Sequence, residues 1–282
     1  MFFLPISASL VGLAVGSFLT VLLPRLGTAE GIIRSRSHCV HCGKALSAIE
    51  LVPVLSFLVQ SGRCRSCRGF IPRSYPLIEL ATGALFFLIA WALINGFLPP
   101  PAFSPRGNAL VLGEGGGEFI AAFLFYAFLA ASAVAISAYD ILHRLIPGGL
   151  VIPLAAVGLA SQLAGAVRSG DFFSLLAAAG AAVAAFLLFW ALWFFSKGRA
   201  MGRGDADVAL AITLFLGPLV AATGMLFAFW IGALYGIVGV ASGKLAWKSA
   251  VPFAPFLFAG ALAALFLTDS LLAALPSLAY GF

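Results

Sequence analysis

The sequence predicts an all-α polytopic membrane protein of about eight transmembrane helices, with a small cytoplasmic zinc-binding domain between helices one and two. Three observations predict it. Of 282 residues, 62% are hydrophobic and only 9% are charged. Apolar runs long enough to cross a bilayer recur along the chain. All four cysteines fall in one basic interruption between the first two runs. A soluble domain carries roughly 25% charged residues, so a soluble fold of this composition could not cover its own surface. The net charge of +6 reads as a topology signal, because excess Lys and Arg marks cytoplasmic loops. The expected surroundings are lipid, with no nucleic-acid partner.

The apolar runs lie near 3–23, 77–98, 119–140, 149–167, 173–195, 206–222, 224–242 and 252–275. Gly217-Pro218 is the break between the sixth and seventh. Met1–Leu23 has no basic residue ahead of its apolar run and no small-residue cleavage site after it. It reads as an uncleaved first helix with its N-terminus outside. With eight spans, all of the 16 basic residues except Arg106 and Arg168 then fall inside, as the positive-inside rule requires. The domain organisation expected is a first helix at 1–23, a cytoplasmic zinc-binding domain at 24–76 and a transmembrane core at 77–282. A Pro/Gly-rich outside loop at 99–118 interrupts that core.

The cysteines form Cys39-x2-Cys42 and Cys64-x2-Cys67, separated by 21 residues. Two CxxC knuckles of soft thiolate ligands suit tetrahedral zinc. Gly43, Gly62 and Gly69 flank the knuckles and suit tight turns. Two disulfides are the alternative, disfavoured by the reducing cytoplasm in which the charge pattern places the segment. His38 and His41 stand beside the first knuckle as possible substitutes for a Cys. A segment this small has little core, so the metal would supply folding energy.

Ten acidic residues exist in the chain, which makes each position informative. Glu30 and Glu50 lie in the polar inside segment. Glu114, Glu118 and Asp171 lie in outside loops, and Asp269 lies near the outside end of the last span. Glu79 opens an apolar span, where a first-turn carboxylate is favoured by the helix dipole. Asp140 ends the third span, and Asp205 opens the sixth within Gly202-Arg-Gly204-Asp205. Both should sit at the inner membrane boundary, where buried carboxylates are functional candidates. Asp207 is about 200° around the helix from Asp205 and cannot face the same site. Two carboxylates brought together share a proton and can activate a water and protonate a carbonyl. The helix dipole favours the anion on Asp205 and disfavours it on Asp140, so Asp205 is the expected base.

These residues, in this order, resemble the type IV prepilin peptidases, the bifunctional leader peptidases and N-methyltransferases of pilus and type II secretion systems. The matching text is Gly16-Ser-Phe, Arg25, the two CxxC pairs, Gly62-Arg-Cys64, Tyr75-Pro76, Glu79-Leu80, Asp140 with Ile146-Pro147, and Gly202-x-Gly204-Asp205. The resemblance implies a bacterial inner-membrane aspartic protease with Asp140 and Asp205 as its dyad. It implies cleavage of prepilin or pseudopilin leaders on the cytoplasmic side. It also implies methylation of the new N-terminus by S-adenosyl-L-methionine, with Gly62, Arg63 and Glu79 as methyl-transfer candidates. The chain departs from the pattern at Asp207, where Lys is common, and at Gly148, where Asp often follows Ile-Pro. A zinc-binding transporter using the same acids as a proton or cation relay is the alternative, and a non-catalytic zinc scaffold is a third reading.

Overall fold

The structure is a computed structural model that describes residues 3–26, 37–104, 116–199, 201–246, 249 and 251–274. Glu30, Arg34, Arg36, Arg106, Glu114 and Lys248, and the side chain of Asp269, lie outside the described residues.

The described chain is helical: α1 (Phe3–Arg25), a 3-10 turn (Ala48–Leu51), α2 (Leu55–Val59), α3 (Ser74–Ile94), α4 (Gly116–His143), α5 (Gly148–Ser169), α6 (Phe172–Ser196), α7 (Gly204–Leu216), α8 (Pro218–Ala241) and α9 (Ala254–Ala274). Eight of these are the expected apolar helices. Six of them, α1, α3, α4, α5, α6 and α8, are long and apolar enough to cross a membrane. Of the boundaries that differ from the sequence expectation, three bear on the acidic residues and on span length. Helix α3 begins at Ser74, because a proline within the first turn, here Pro76, forfeits no intrahelical hydrogen bond. Helix α4 begins at Gly116, so Glu118 is a first-turn residue of a helix rather than part of a loop. Helix α7 ends at Leu216, where Gly217 takes φ +82° and Pro218 opens α8. Its 13 residues extend about 20 Å, less than the roughly 30 Å hydrocarbon core.

The chain forms two compact units. The first holds Met1–Asn95 and Phe123–Ala135. Here α1 and α3 run antiparallel: Gly12 faces Phe86 and Thr82, while Gly16 faces Glu79 and Ile78. A Cβ at Gly16 would lie 2.7 Å from the Glu79 Cα, so the absence of a side chain is what lets the backbones meet. Phe86 closes edge-on against Phe123 of α4, with ring centroids 5.8 Å apart.

The second unit holds Gly96–Ala122 and Ile136–Phe282. Its centre is α7, whose Ala206, Val208, Ala209, Ala211, Ile212 and Phe215 are all buried. Helix α5 reaches it through Gly158, where a Cβ would lie 2.6 Å from the Phe215 nitrogen. Helices α8 and α9 cross antiparallel at Gly224, Ala228, Gly260 and Ala261, and Thr223 and Thr268 join them through hydroxyls 2.9 Å apart. Asp171 caps α6, accepting from the Phe173 and Ser174 N–H groups at 3.0 and 3.2 Å. That bond accounts for one of the chain's few acids.

Candidate functional site

The second unit brings Asp140 and Asp205 together. Asp140 lies in the last turn of α4 and Asp205 is the second residue of α7. They are 6% and 3% exposed, and Asp140 is close enough to act electrostatically on Asp205. The local sequence explains the approach. After α4, Arg144 takes φ +53° and its N–H bonds back to the Asp140 carbonyl at 2.7 Å. The chain then turns through Ile146-Pro147 into α5. Gly204 lies directly against Ile146: a Cβ there would sit 2.8 Å from the Ile146 Cβ. Thus the residue six beyond one aspartate packs on the residue just before the other. Gly202 donates its N–H to Asp205 Oδ2 at 3.0 Å. Asp207 is exposed and takes no part, as the helix rotation requires.

One partner was not legible beforehand. The N–H of Ala254, first residue of α9, donates to Asp140 Oδ2 at 3.2 Å. Helix N-termini present such unsatisfied donors to anions. Asp205 therefore lies in the first turn of α7, and Asp140 faces the N-terminus of α9. The dipole asymmetry expected from the sequence is offset, and it no longer singles out Asp205 as the base. The available signal was Pro255, a helix-start residue just after Ala254.

The first unit gathers the four cysteines. Their sulfurs all lie within 4.8 Å of one another, and Cys39 and Cys67 Sγ are 3.9 Å apart. Tetrahedral zinc with Zn–S near 2.3 Å sets sulfurs about 3.8 Å apart, so the donor set fits. All four thiols are free of disulfides. The two knuckles repeat one turn: Cys39 N–H bonds the Lys44 carbonyl at 2.9 Å, and Cys64 N–H bonds the Gly69 carbonyl at 2.8 Å. Backbone N–H groups of Cys67 and Ser66 draw the Cys64 thiol down to about 6. For Cys67, the Gly69 N–H works the same way, but burial and three neighbouring thiols push it up to about 11. A dication bound there would remove that conflict by holding all four as thiolates. The left-handed residue is Gly43 in the first knuckle but Arg68, at φ +62°, in the second. Gly69 does something else, since a Cβ there would lie 2.6 Å from the His41 ring. His41 Nε2 pairs with the Phe70 carbonyl at 3.0 Å, which leaves the sulfurs as the ligand set.

The methyl-transfer candidates separate. Gly62, at φ +67°, closes α2 through its N–H to the Phe57 carbonyl at 2.9 Å. Arg63 lies over the Phe70 ring, 4.6 Å from its centroid. Glu79 is 8% exposed and sits in the second turn of α3 rather than the first, because α3 starts earlier than the apolar run. Its Oε2 accepts the Val54 N–H at 2.7 Å, tying the cysteine-bearing segment to α3. Glu79 also lines a cavity of about 420 Å³ formed by the end of α1, the segment and the start of α3. Gly62 and Arg63 do not line it.

Comparison with known proteins bears on both units. Residues 10–93 match the family model described as Bacterial Peptidase A24 N-terminal domain, and residues 123–237 match the Type IV leader peptidase family. A prepilin leader peptidase/N-methyltransferase of Burkholderia pseudomallei (strain 1026b) is 37% identical, over 92% of this chain and 84% of the relative. The chain belongs to the prepilin leader peptidase/N-methyltransferase family. A family member from Bacillus subtilis (strain 168) is 33% identical over 96% of this chain and 97% of its own length. Another from Pseudomonas aeruginosa is 26% identical over 88% and 85%. No solved structure gives a significant match.

Proposed function

We propose that the chain is a membrane aspartic endopeptidase. It removes the leader peptide of prepilins or pseudopilins and N-methylates the residue so exposed. The observation that carries the peptidase reading is the buried pair Asp140 and Asp205, held by one backbone N–H each and brought together by Gly204 on Ile146. Two such carboxylates cannot both ionise at close range and hold one proton between them. One carboxylate takes a proton from water as the water oxygen attacks the scissile carbonyl carbon. The other gives its proton to the carbonyl oxygen; on collapse it takes a hydroxyl proton back while the first carboxyl hands its proton to the leaving nitrogen, and the amine departs. Zinc, held by Cys39, Cys42, Cys64 and Cys67, is structural, because four thiolates leave no open position. S-adenosyl-L-methionine supplies an electrophilic methyl group when bound.

The bilayer is the inner membrane, with the N-terminus outside and the cysteine segment and acid pair on the cytoplasmic side. That sidedness rests on the basic residues of the inside loops. A relay transporter would place its acids along a path through the spans, whereas Asp140 and Asp205 occupy helix ends.

The test is incubation of the purified protein with a prepilin, with and without S-adenosyl-L-methionine, and mass spectrometry of the new N-terminus. Cleavage at the leader junction is expected in both cases, with an added methyl group only when the donor is present. Asp140→Asn and Asp205→Asn are each expected to lower cleavage by about 10³-fold or more, with bound zinc unchanged. An uncut prepilin with the parent protein would overturn the reading.

A further inference from the structure

We propose that the cavity of the first unit is the methyl-donor site, with Glu79, Glu50 and Arg25 matching the three charges of S-adenosyl-L-methionine. This deepens the methyltransferase reading and rests on it. At about 420 Å³ the cavity lies within the range of small-molecule sites, roughly 300–1,000 Å³. The donor carries two positive centres, the sulfonium and the α-ammonium, and one carboxylate. Two of the chain's ten acids, Glu50 and Glu79, line the cavity together with the Arg25 guanidinium. In so acid-poor a protein, two carboxylates on one cavity mark it as a cation site. Phe57, Phe70 and Tyr75 add aromatic surface for a purine.

Each charged group is held by the fold. Glu79 uses Oε2 on the Val54 N–H and makes no other hydrogen bond among the described residues, which leaves Oε1 for a ligand. Val54 is held at φ 59°, a conformation costly for a β-branched residue. Such strain persists only where the surroundings over-determine it, and here the carboxylate is what pins the Val54 N–H. Glu50 spends Oε2 on the Ser47 N–H and hydroxyl at 2.9 and 2.8 Å. These two bonds, with Lys44 and Arg65 nearby, hold its carboxyl below the usual range, and it stays anionic. Arg25 is 7% exposed at the end of α1, fixed in place rather than swinging in solvent.

The chemistry balances without a further reactant. The substrate amine forms an N–CH3 bond as the C–S bond breaks, the sulfonium becomes a neutral thioether, and the amine releases a proton to water. A carboxylate beside the sulfonium therefore favours the donor over the spent product, which lacks that charge.

The test is equilibrium binding of S-adenosyl-L-methionine and of S-adenosyl-L-homocysteine to the purified zinc-loaded protein, with photolabelling by the radiolabelled donor. Glu79→Gln keeps an oxygen for the Val54 N–H and removes the charge. It is expected to weaken the donor by about tenfold and the neutral thioether product much less, so the preference between them collapses. Glu50→Gln, which keeps the turn, is expected to weaken donor and product by a similar factor, because the α-ammonium left to it is common to both. Label is expected on peptides covering 17–25 and 50–79. A donor-to-product ratio unchanged by Glu79→Gln, or label confined to residues 136–274, overturns the site while leaving methylation in place. No donor binding and no methylated product with the parent protein overturns the methyltransferase reading as well.

Discussion

Gly204 and Ile146 set how closely the two aspartates approach. With the Ile146 Cβ 2.8 Å from where a Gly204 side chain would begin, Gly204→Ala must push the α4–α5 turn away from α7. Displacing a reacting group by about 1 Å can cost on the order of 100-fold in rate. Cleavage by Gly204→Ala is accordingly expected to fall about 10- to 100-fold. Adding Ile146→Gly should return much of it, because it removes the Cβ that the new methyl group meets. A double-mutant cycle on kcat/KM checks this, and strictly additive losses would count against the contact as the cause. A second residue-scale expectation concerns the knuckles, where Arg68 holds the left-handed conformation that Gly43 holds in the other. A side-chain-bearing residue in that region costs roughly 1 kcal/mol or more. Arg68→Gly is therefore expected to stabilise the cysteine segment by up to about 1 kcal/mol, read as slower zinc loss to a chelator. Gly43→Ala should speed that loss.

Among the elements, α7 carries the most consequence for its length. It is too short to cross a bilayer by itself, and its helical neighbours cover it on nearly every side. Its position depends on α5 approaching at Gly158, with no room for a methyl group against Phe215. Gly158→Ala is expected to cost about 1–3 kcal/mol and to reduce cleavage, because α7 bears Asp205 at its start. Thermal unfolding and cleavage by one detergent-purified preparation would check both. The full-length spans were legible because an apolar run of about 20 residues has few other readings. The end of α7 was not, although Gly217-Pro218 was visible as a break. Apolar residues continue past it to 222, and run length says nothing of a backbone that turns at Gly217. The same blindness placed Glu79 in a first turn. Hydropathy began α3 at Leu77, while the helix itself starts at Ser74 and carries Pro76 within its first turn.

Across the whole molecule, the acid pair belongs to one compact unit and the cysteines, with the cavity, to the other. The motifs were legible because each is contiguous: CxxC twice, and a glycine-flanked Asp. The cavity was not, because Arg25, Glu50 and Glu79 come from three separate segments and Glu50 reads in isolation as a solvated side chain. This division sets an expectation for metal removal. Cys39 and Cys64 line the cavity, so the cysteine knuckles form part of its wall, and a small module held together by a metal loses its fold with that metal. No hydrogen bond found for Asp140 or Asp205 among the described residues comes from the cysteine segment. Chelation, or Cys39→Ser with Cys42→Ser, should therefore lower donor binding and methylated product by about tenfold or more. Cleavage should fall far less, so mature pilin with an unmodified N-terminus accumulates. Mass spectrometry of that N-terminus over a chelator titration, alongside zinc content, reads both activities from one sample. Equal losses of cleavage and methylation at every zinc occupancy would mean that the metal supports the whole chain rather than the wall of one cavity.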